Sequence, residues 1–134
     1  MAAFRYVQPV RFGDVDHAGI VYYPRFFHYF HVTFEELFGV GEYRRLLDER
    51  RIGFPAVRVE VDYHAPLRYG DWIAVDTTSE RVGRTSVTLR YHGTRLADGT
   101  HCAEGLVTCV AIDLDSFRAL PLPDDLRTLF TSLS

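Results

Sequence analysis

Four phenylalanines at helical spacing, Phe27, Phe30, Phe34 and Phe38, run through one stretch of this chain. Val32 and Leu37 lie beside that stripe. Phe26 and Tyr29 widen the apolar arc well past the roughly 100° of an ordinary surface helix, so this helix has to be covered on most of its sides. Pro24 suits the first turn, where its missing N–H is not needed. Gly39 and Gly41 are placed to end the helix. Glu35 and Glu36 are its only acids.

The segments that can cover it read as strands. Residues 4–11 form a first one. After a short charged helix over 42–51, stopped by Gly53, Val57, Val59, Val61 and Tyr63 alternate with Arg58, Glu60, Asp62 and His64, the period-two pattern of a half-buried strand. Residues 67–71 turn the chain, and 72–80 continue with Ile73, Val75 and Thr77 on one face. A turn over 82–84 leads to Val87, Leu89 and Tyr91, alternating with Thr88, Arg90 and His92. Asp98-Gly99 is a hairpin signal. Residues 104–114 are apolar on both faces, as a central strand would be, and a short helix over 124–130 follows Pro121 and Pro123. The order is strand, long helix, then four strands joined by tight turns. That is an α+β chain, a curved antiparallel sheet wrapped around one long central helix. No linker or repeat divides it, so residues 1–134 form a single domain.

Absences narrow the chemistry. All fifteen basic residues are Arg, which excludes Schiff-base lysine chemistry and the phosphate-binding P-loop. There is no Asn, hence no N-glycosylation and no Cys-His-Asn site. A net charge of -3 gives no electrostatic case for nucleic-acid binding. No apolar run approaches the length of a membrane span, and residues 1–11 lack the apolar core of a signal peptide. Cys102 and Cys109 are seven residues apart on one predicted strand, about 23 Å along it, and cannot pair. A reducing, cytoplasmic setting follows by elimination.

The segment between the first strand and the aromatic helix holds Asp14, Asp16, His17 and Gly19. A helix start offers unpaired N–H groups and a partial positive end, which can hold a developing oxyanion on an acyl carbonyl. A carboxylate beside it can attack that carbonyl or activate a water. Asp-x-Asp before a helix is also ordinary turn chemistry, and spacing alone leaves both readings open. The loop lacks the further acids of an EF-hand. His28, His31 and Glu35 share a helix face at i, i+3 and i+7, as metal ligands can, but a pocket or core role suits them better and no metal is assigned.

Asp14-x-Asp16-x-x-Gly19-x-Val21-x-Tyr23-Pro24, followed by the aromatic helix, closely resembles the signature of the 4-hydroxybenzoyl-CoA thioesterase family of hot-dog proteins. Gly53-Phe54-Pro55-Ala56-Val57, Val61-Asp62-Tyr63-x-Ala65-Pro66 and Gly70-Asp71 resemble the same family's second-strand and turn pattern, so the likeness covers nearly the whole chain. The resemblance implies an acyl-CoA thioesterase of the hot-dog fold. Asp16 is then the catalytic carboxylate, as nucleophile or general base. Asp14 braces the loop, the Tyr23 backbone N–H polarises the thioester carbonyl, and Gly19 lets the thioester approach. His31 stands where the 4-hydroxybenzoyl enzymes carry an Asp for the ring hydroxyl, and Phe54 where they carry a small hydroxyl residue. With Phe26 and Phe27, these substrate-binding positions point to a different flat, apolar or aryl acyl group. Relatives in the family act on benzoyl-CoA or 1,4-dihydroxy-2-naphthoyl-CoA.

Coenzyme A is part of the substrate here, and the reaction needs no cofactor and no metal. Its phosphates require local arginines on an acidic protein. Arg81, Arg84, Arg90 and Arg95 are candidates. Arg84 lies in a turn that matches a phosphate-contacting turn of the family, and Arg81 is beside it. The family's sites lie between subunits, which implies a homo-oligomer, a dimer at least and a tetramer in preference. Other readings stay open on the residues alone: a hot-dog hydro-lyase, a thioesterase acting on an acyl-carrier protein, or a non-enzymatic acyl-CoA binding module.

Overall fold

A computed structural model of the chain describes residues 3–134. Strand β1 (Phe4–Pro9) leads through a 3-10 turn (Phe12–Asp14) into α1 (Arg25–Phe38), followed at once by α2 (Val40–Asp48). Then come β2 (Ile52–Gly53), β3 (Ala56–Tyr63), β4 (Trp72–Val82), β5 (Ser86–Arg95), β6 (His101–Val110), β7 (Ile112–Asp113) and α3 (Asp124–Thr131). Five strands form one sheet in the order β1-β4-β5-β6-β3, every neighbouring pair antiparallel. The sheet curves around α1 in the expected hot-dog arrangement.

The hairpin signals hold. Gly99 takes φ +71° in the turn joining β5 to β6, and the Gly83 N–H donates to the Ser86 carbonyl at 2.8 Å between β4 and β5. Alternation on β5 sends Val87, Leu89 and Tyr91 to the core and leaves Thr88, Arg90 and His92 on the outer face. Inside, Phe30 stacks on Tyr91 with ring centroids 5.0 Å apart and 10° between planes. Gly105 makes room for it: a Cβ there would stand 2.6 Å from Phe30 Cε2.

Several expectations shift. The buried arc of α1 is Phe26, Tyr29, Phe30, Thr33 and Phe34; Phe27 and Phe38 lie at its margins, because the sheet meets the helix from one side. Buried Thr33 is satisfied within the helix, its hydroxyl donating to the Tyr29 carbonyl at 2.8 Å. Only Gly39 ends α1, with φ +83°, and Gly41 lies inside α2, which starts earlier than its charge pattern predicts. The predicted strand 104–114 begins at His101 and breaks at Ala111, after which β7 pairs with β2 in a separate two-stranded sheet. Both cysteines are buried and free.

One strand departs from the half-buried pattern. β3 is an edge strand, and Val57, Val59 and Tyr63 stay 63%, 51% and 42% exposed. Its apolar face has no cover within the chain beyond the margin of α1. No helix among the described residues is long and apolar enough to cross a membrane.

Candidate active site

The loop 10–24 is anchored at both ends. The Val10 N–H donates to the Asp71 carbonyl and the Val21 N–H to the Leu67 carbonyl, both at 2.8 Å. Val15 and Val21 bridge across it. Its two aspartates have different surroundings. Asp14 is turned inward, its side chain 13% exposed. Its Oδ2 accepts the Arg11 N–H and the Tyr29 hydroxyl, each at 2.9 Å, and Arg25 Nε stands 3.9 Å from Oδ1. Burial and the adjacent Asp14 carboxylate together push the Tyr29 hydroxyl's pKa well up, so it stays a proton donor. Asp14 is thus a brace between the loop and α1.

Asp16 points outward. Its Oδ1 accepts the Ala18 N–H at 2.9 Å, and no described group bonds Oδ2. Gly19 closes a tight turn under it: φ is +78°, and the Gly19 N–H donates to the Asp16 carbonyl at 2.9 Å. A side chain at residue 19 would meet open space but would be strained in that backbone region.

Helix α1 begins directly after the loop, with Pro24 at its N-cap, no side-chain cap and no acid in the first turn. The Arg25, Phe26 and Phe27 N–H groups turn back to the Tyr22, Tyr23 and Pro24 carbonyls, so the N–H left over lies one step earlier. Among the described residues, none accepts the Tyr23 N–H. The Tyr23 carbonyl accepts the Tyr63 hydroxyl at 2.9 Å, from β3. Tyr29 and Tyr63 thus secure the loop and the helix entry, and neither carries a local sequence signal, since their partners lie 15 and 40 residues away.

Two apolar cavities flank α1. One, of about 290 Å³, is lined by Phe27, Phe30, His31, Phe34, Phe54, Ala56, Val59, Tyr91, Val107 and Cys109. It brings together Phe27, His31 and Phe54, three of the positions expected to contact the acyl group, while Phe26, expected with them, lies buried against the second cavity instead. His31 sits at its rim, hydrogen-bonded through Nε2 to Glu35 at 3.0 Å. Burial pushes the Cys109 thiol up to about 11, so it is a neutral part of the wall. The second cavity, of about 340 Å³, lies against the loop, between Ile20, Val21, Tyr23, Phe26, Tyr63, His64, Ala65 and Pro66.

The arginines are not gathered at the loop. Trp72 and Asp71 adjoin the loop, whereas Arg81 lies ten residues along β4 and Arg84 in the hairpin beyond, on the order of 30 Å away at about 3.3 Å per residue. Both side chains are exposed, and neither has an ionic partner among the described residues. Arg90 and Arg95 are committed elsewhere, Arg90 to Glu80 and Glu104 and Arg95 to Asp71 and Asp98. His28, His31 and Glu35 do not converge as a metal-sized group. Of the two strand histidines expected to be solvated, His64 is exposed and His92 half-buried, and both rings lie against His101.

The thioesterase-like superfamily matches residues 10–130. The chain is 26% identical over 130 residues to a 1,4-dihydroxy-2-naphthoyl-CoA hydrolase of Synechococcus elongatus, covering 95% of this chain and 94% of that one. A crystal structure of a thioesterase-superfamily protein from Jannaschia sp. superposes with a TM-score of 0.83 at 34% identity, over 96% of this chain and 91% of the other. A gentisyl-coenzyme A thioesterase superposes with a TM-score of 0.83 at 29% identity, over 92% and 98%.

Proposed function

The chain belongs to the thioesterase-like superfamily, and from that premise we propose that it hydrolyses an aromatic acyl-CoA to the free acid and coenzyme A. The naphthoyl and gentisyl relatives support an aromatic acyl group, as does a cavity walled by five aromatic rings. The observation that carries the reading is that one loop holds both an outward carboxylate, Asp16, and an unpartnered Tyr23 N–H at a helix start with no side-chain cap.

The thioester carbonyl oxygen accepts the Tyr23 N–H, and the positive end of α1 stabilises the charge that develops on it. Asp16 then acts in one of two ways. As nucleophile, it bonds to the carbonyl carbon, coenzyme A leaves as thiolate, and water cleaves the mixed anhydride. As general base, it takes a proton from water, whose oxygen bonds to the same carbon as the thiolate departs. Either route consumes one water and needs no metal or redox cofactor. The acyl ring fills the cavity between Phe27, Phe54 and Tyr91, with His31, itself bonded to Glu35, at its rim to meet ring hydroxyls.

The arrangement also implies a shared site. An exposed apolar β3 edge favours pairing with a second copy, giving a dimer that can double into a tetramer. Arg84 and Arg81, far from the loop in their own chain, then receive the coenzyme A phosphates of a neighbouring subunit's site. The two free thiols suit a reducing cytoplasm.

The test is thiol release from benzoyl-, 4-hydroxybenzoyl-, gentisyl-, dihydroxynaphthoyl-, short-chain and long-chain CoA, with Asp16→Asn alongside. Turnover on an aryl-CoA that Asp16→Asn nearly abolishes is expected. A folded oligomer inactive on every CoA ester would overturn the reading and shift it to a carrier-protein substrate or a binding module. A single turnover in ¹⁸O-water tests the nucleophilic route: label in Asp16 requires a mixed anhydride that water has opened at the Asp16 carbonyl.

A further inference from the structure

On the face of the sheet opposite α1, three imidazoles and a carboxylate meet. His92 lies on β5, His101 and Glu104 on β6, and His64 just past the end of β3. The His92 and His101 rings stack with centroids 4.0 Å apart, and His64 lies 4.5 Å from His101 on its other side. Glu104 faces His92 across the ladder. The ligand atoms of His92, His101 and Glu104 all lie within 4.8 Å of one another.

Two features distinguish this group from a solvated polar face. His101 Nε2 is buried and has no hydrogen-bond partner, an arrangement that folded proteins rarely leave unexplained. Glu104 is held in place by Arg90, whose Nη1 donates to Oε1 at 2.7 Å, leaving Oε2 available.

We propose that His92, His101 and Glu104, with His64 as a fourth ligand, form a binding site for a divalent transition ion of the zinc class. Imidazole nitrogens with one carboxylate suit zinc, cobalt or nickel, whereas magnesium and calcium take oxygen donors. Tetrahedral coordination at a zinc–nitrogen distance of about 2.0–2.1 Å sets donors roughly 3.4 Å apart, so the half-buried His92 and His101 rings and the exposed His64 must turn toward one another to close the site. The ion would clasp β5, β6 and the end of β3. It lies outside the Asp16 loop, and its part is structural rather than hydrolytic.

The test uses the full chain stripped with EDTA and titrated with cobalt(II). One cobalt per chain is expected, with the visible d–d bands of a nitrogen-and-oxygen site, displaced by zinc, and zinc should raise the melting temperature. His92→Gln and His101→Gln should each weaken cobalt binding by at least about tenfold, while His28→Gln on exposed α1 leaves it unchanged. Absence of cobalt bands at millimolar excess, or binding that survives His101→Gln and disappears in His28→Gln, would overturn the proposal. Should a variant misfold by circular dichroism, histidine ¹⁵N shifts of the wild type decide instead. Zinc must move the ring nitrogens of His92 and His101, and a spectrum unmoved by zinc overturns the site.

Discussion

The Tyr29 hydroxyl donates to Asp14 Oδ2 at 2.9 Å, tying the second turn of α1 to the loop that precedes it. Tyr29 is almost fully buried, and its backbone carbonyl accepts both the Thr33 hydroxyl and the Gln8 side-chain amide. A rigid residue therefore holds the first aspartate of the motif, while the second, two positions on, is exposed and bonded only through Oδ1 to the Ala18 N–H. On the proposed mechanism the paired acids have separate work: Asp14 braces the loop that carries Asp16.

Tyr29→Phe removes that bond while keeping the ring. Asp14 then loses one of its two close donors in a mostly buried place, which should cost about 1.5–3 kcal/mol of stability. A looser loop should also lower kcat by about 10-fold to 100-fold. Thermal melts and steady-state rates on the best aryl-CoA check both. An unchanged kcat in a destabilised protein would confine Tyr29 to a structural role.

Gly105→Ala tests the packing of α1 against the sheet. The new methyl would stand 2.6 Å from Phe30 Cε2, and Phe30 is backed by Tyr91 and cannot retreat. Overpacking of this kind should cost about 1–3 kcal/mol. Phe30→Leu in the same chain should recover part of the loss, so the two changes should be non-additive in denaturant titrations. Simple additivity would mean that the sheet moves instead of the ring.

Local patterns disclosed most of this architecture. Period-two alternation marks β4 and β5, the phenylalanine spacing marks α1, and Asp98-Gly99 marks its hairpin. Asp16, Gly19 and Tyr23 all fall in the one short loop ahead of α1. What stayed hidden depends on contacts distant in sequence. β2 and β7 are two-residue strands that exist only by pairing with each other. The requirement for glycine at residue 105 comes from a ring 75 positions away. His64, His92 and His101 read as separate polar positions until the order β5-β6-β3 sets them side by side. β3 has a half-buried pattern but an exposed face, because it is an edge strand and no described element lies over that face beyond the margin of α1.

Cys109 supplies a pH test. Burial raises its thiol to about 11, while an unfolded cysteine ionises near 8.5. Below pH 8.5 the thiol is neutral in both states and stability is unaffected. Between about pH 8.5 and 11 only the unfolded state ionises, so stability falls as pH rises, by at most about 1.4 kcal/mol per pH unit. Cys109→Ala should flatten the decline between about pH 8.5 and 10, before tyrosine ionisation begins. At pH 8 alkylation of Cys109 should be at least about 100-fold slower than that of a free thiol. Fast labelling in the folded state would show that the cavity wall opens.

The edge strand tests whether the site needs a second chain. Val57 and Val59 present apolar side chains at 63% and 51% exposure on a strand whose outer ladder is unpaired. Natural edges left solitary are defended by charge, especially lysine, and this chain has no lysine at all. Its edge charges, Arg58 and Glu60, are paired to each other and face away from that apolar side. Val57→Lys places an unpaired charge at the strand's exposed start, in the irregularity between Ala56 and Arg58 and at the end of β3 away from the Tyr63 contact with the loop. If two β3 strands pair, sedimentation velocity should show the variant shifted toward monomer, and thioesterase activity should fall with the dimer fraction as the protein is diluted. A variant that keeps the wild-type sedimentation coefficient, or a monomer that keeps full turnover, would show that β3 is not the interface or that one chain completes the site alone.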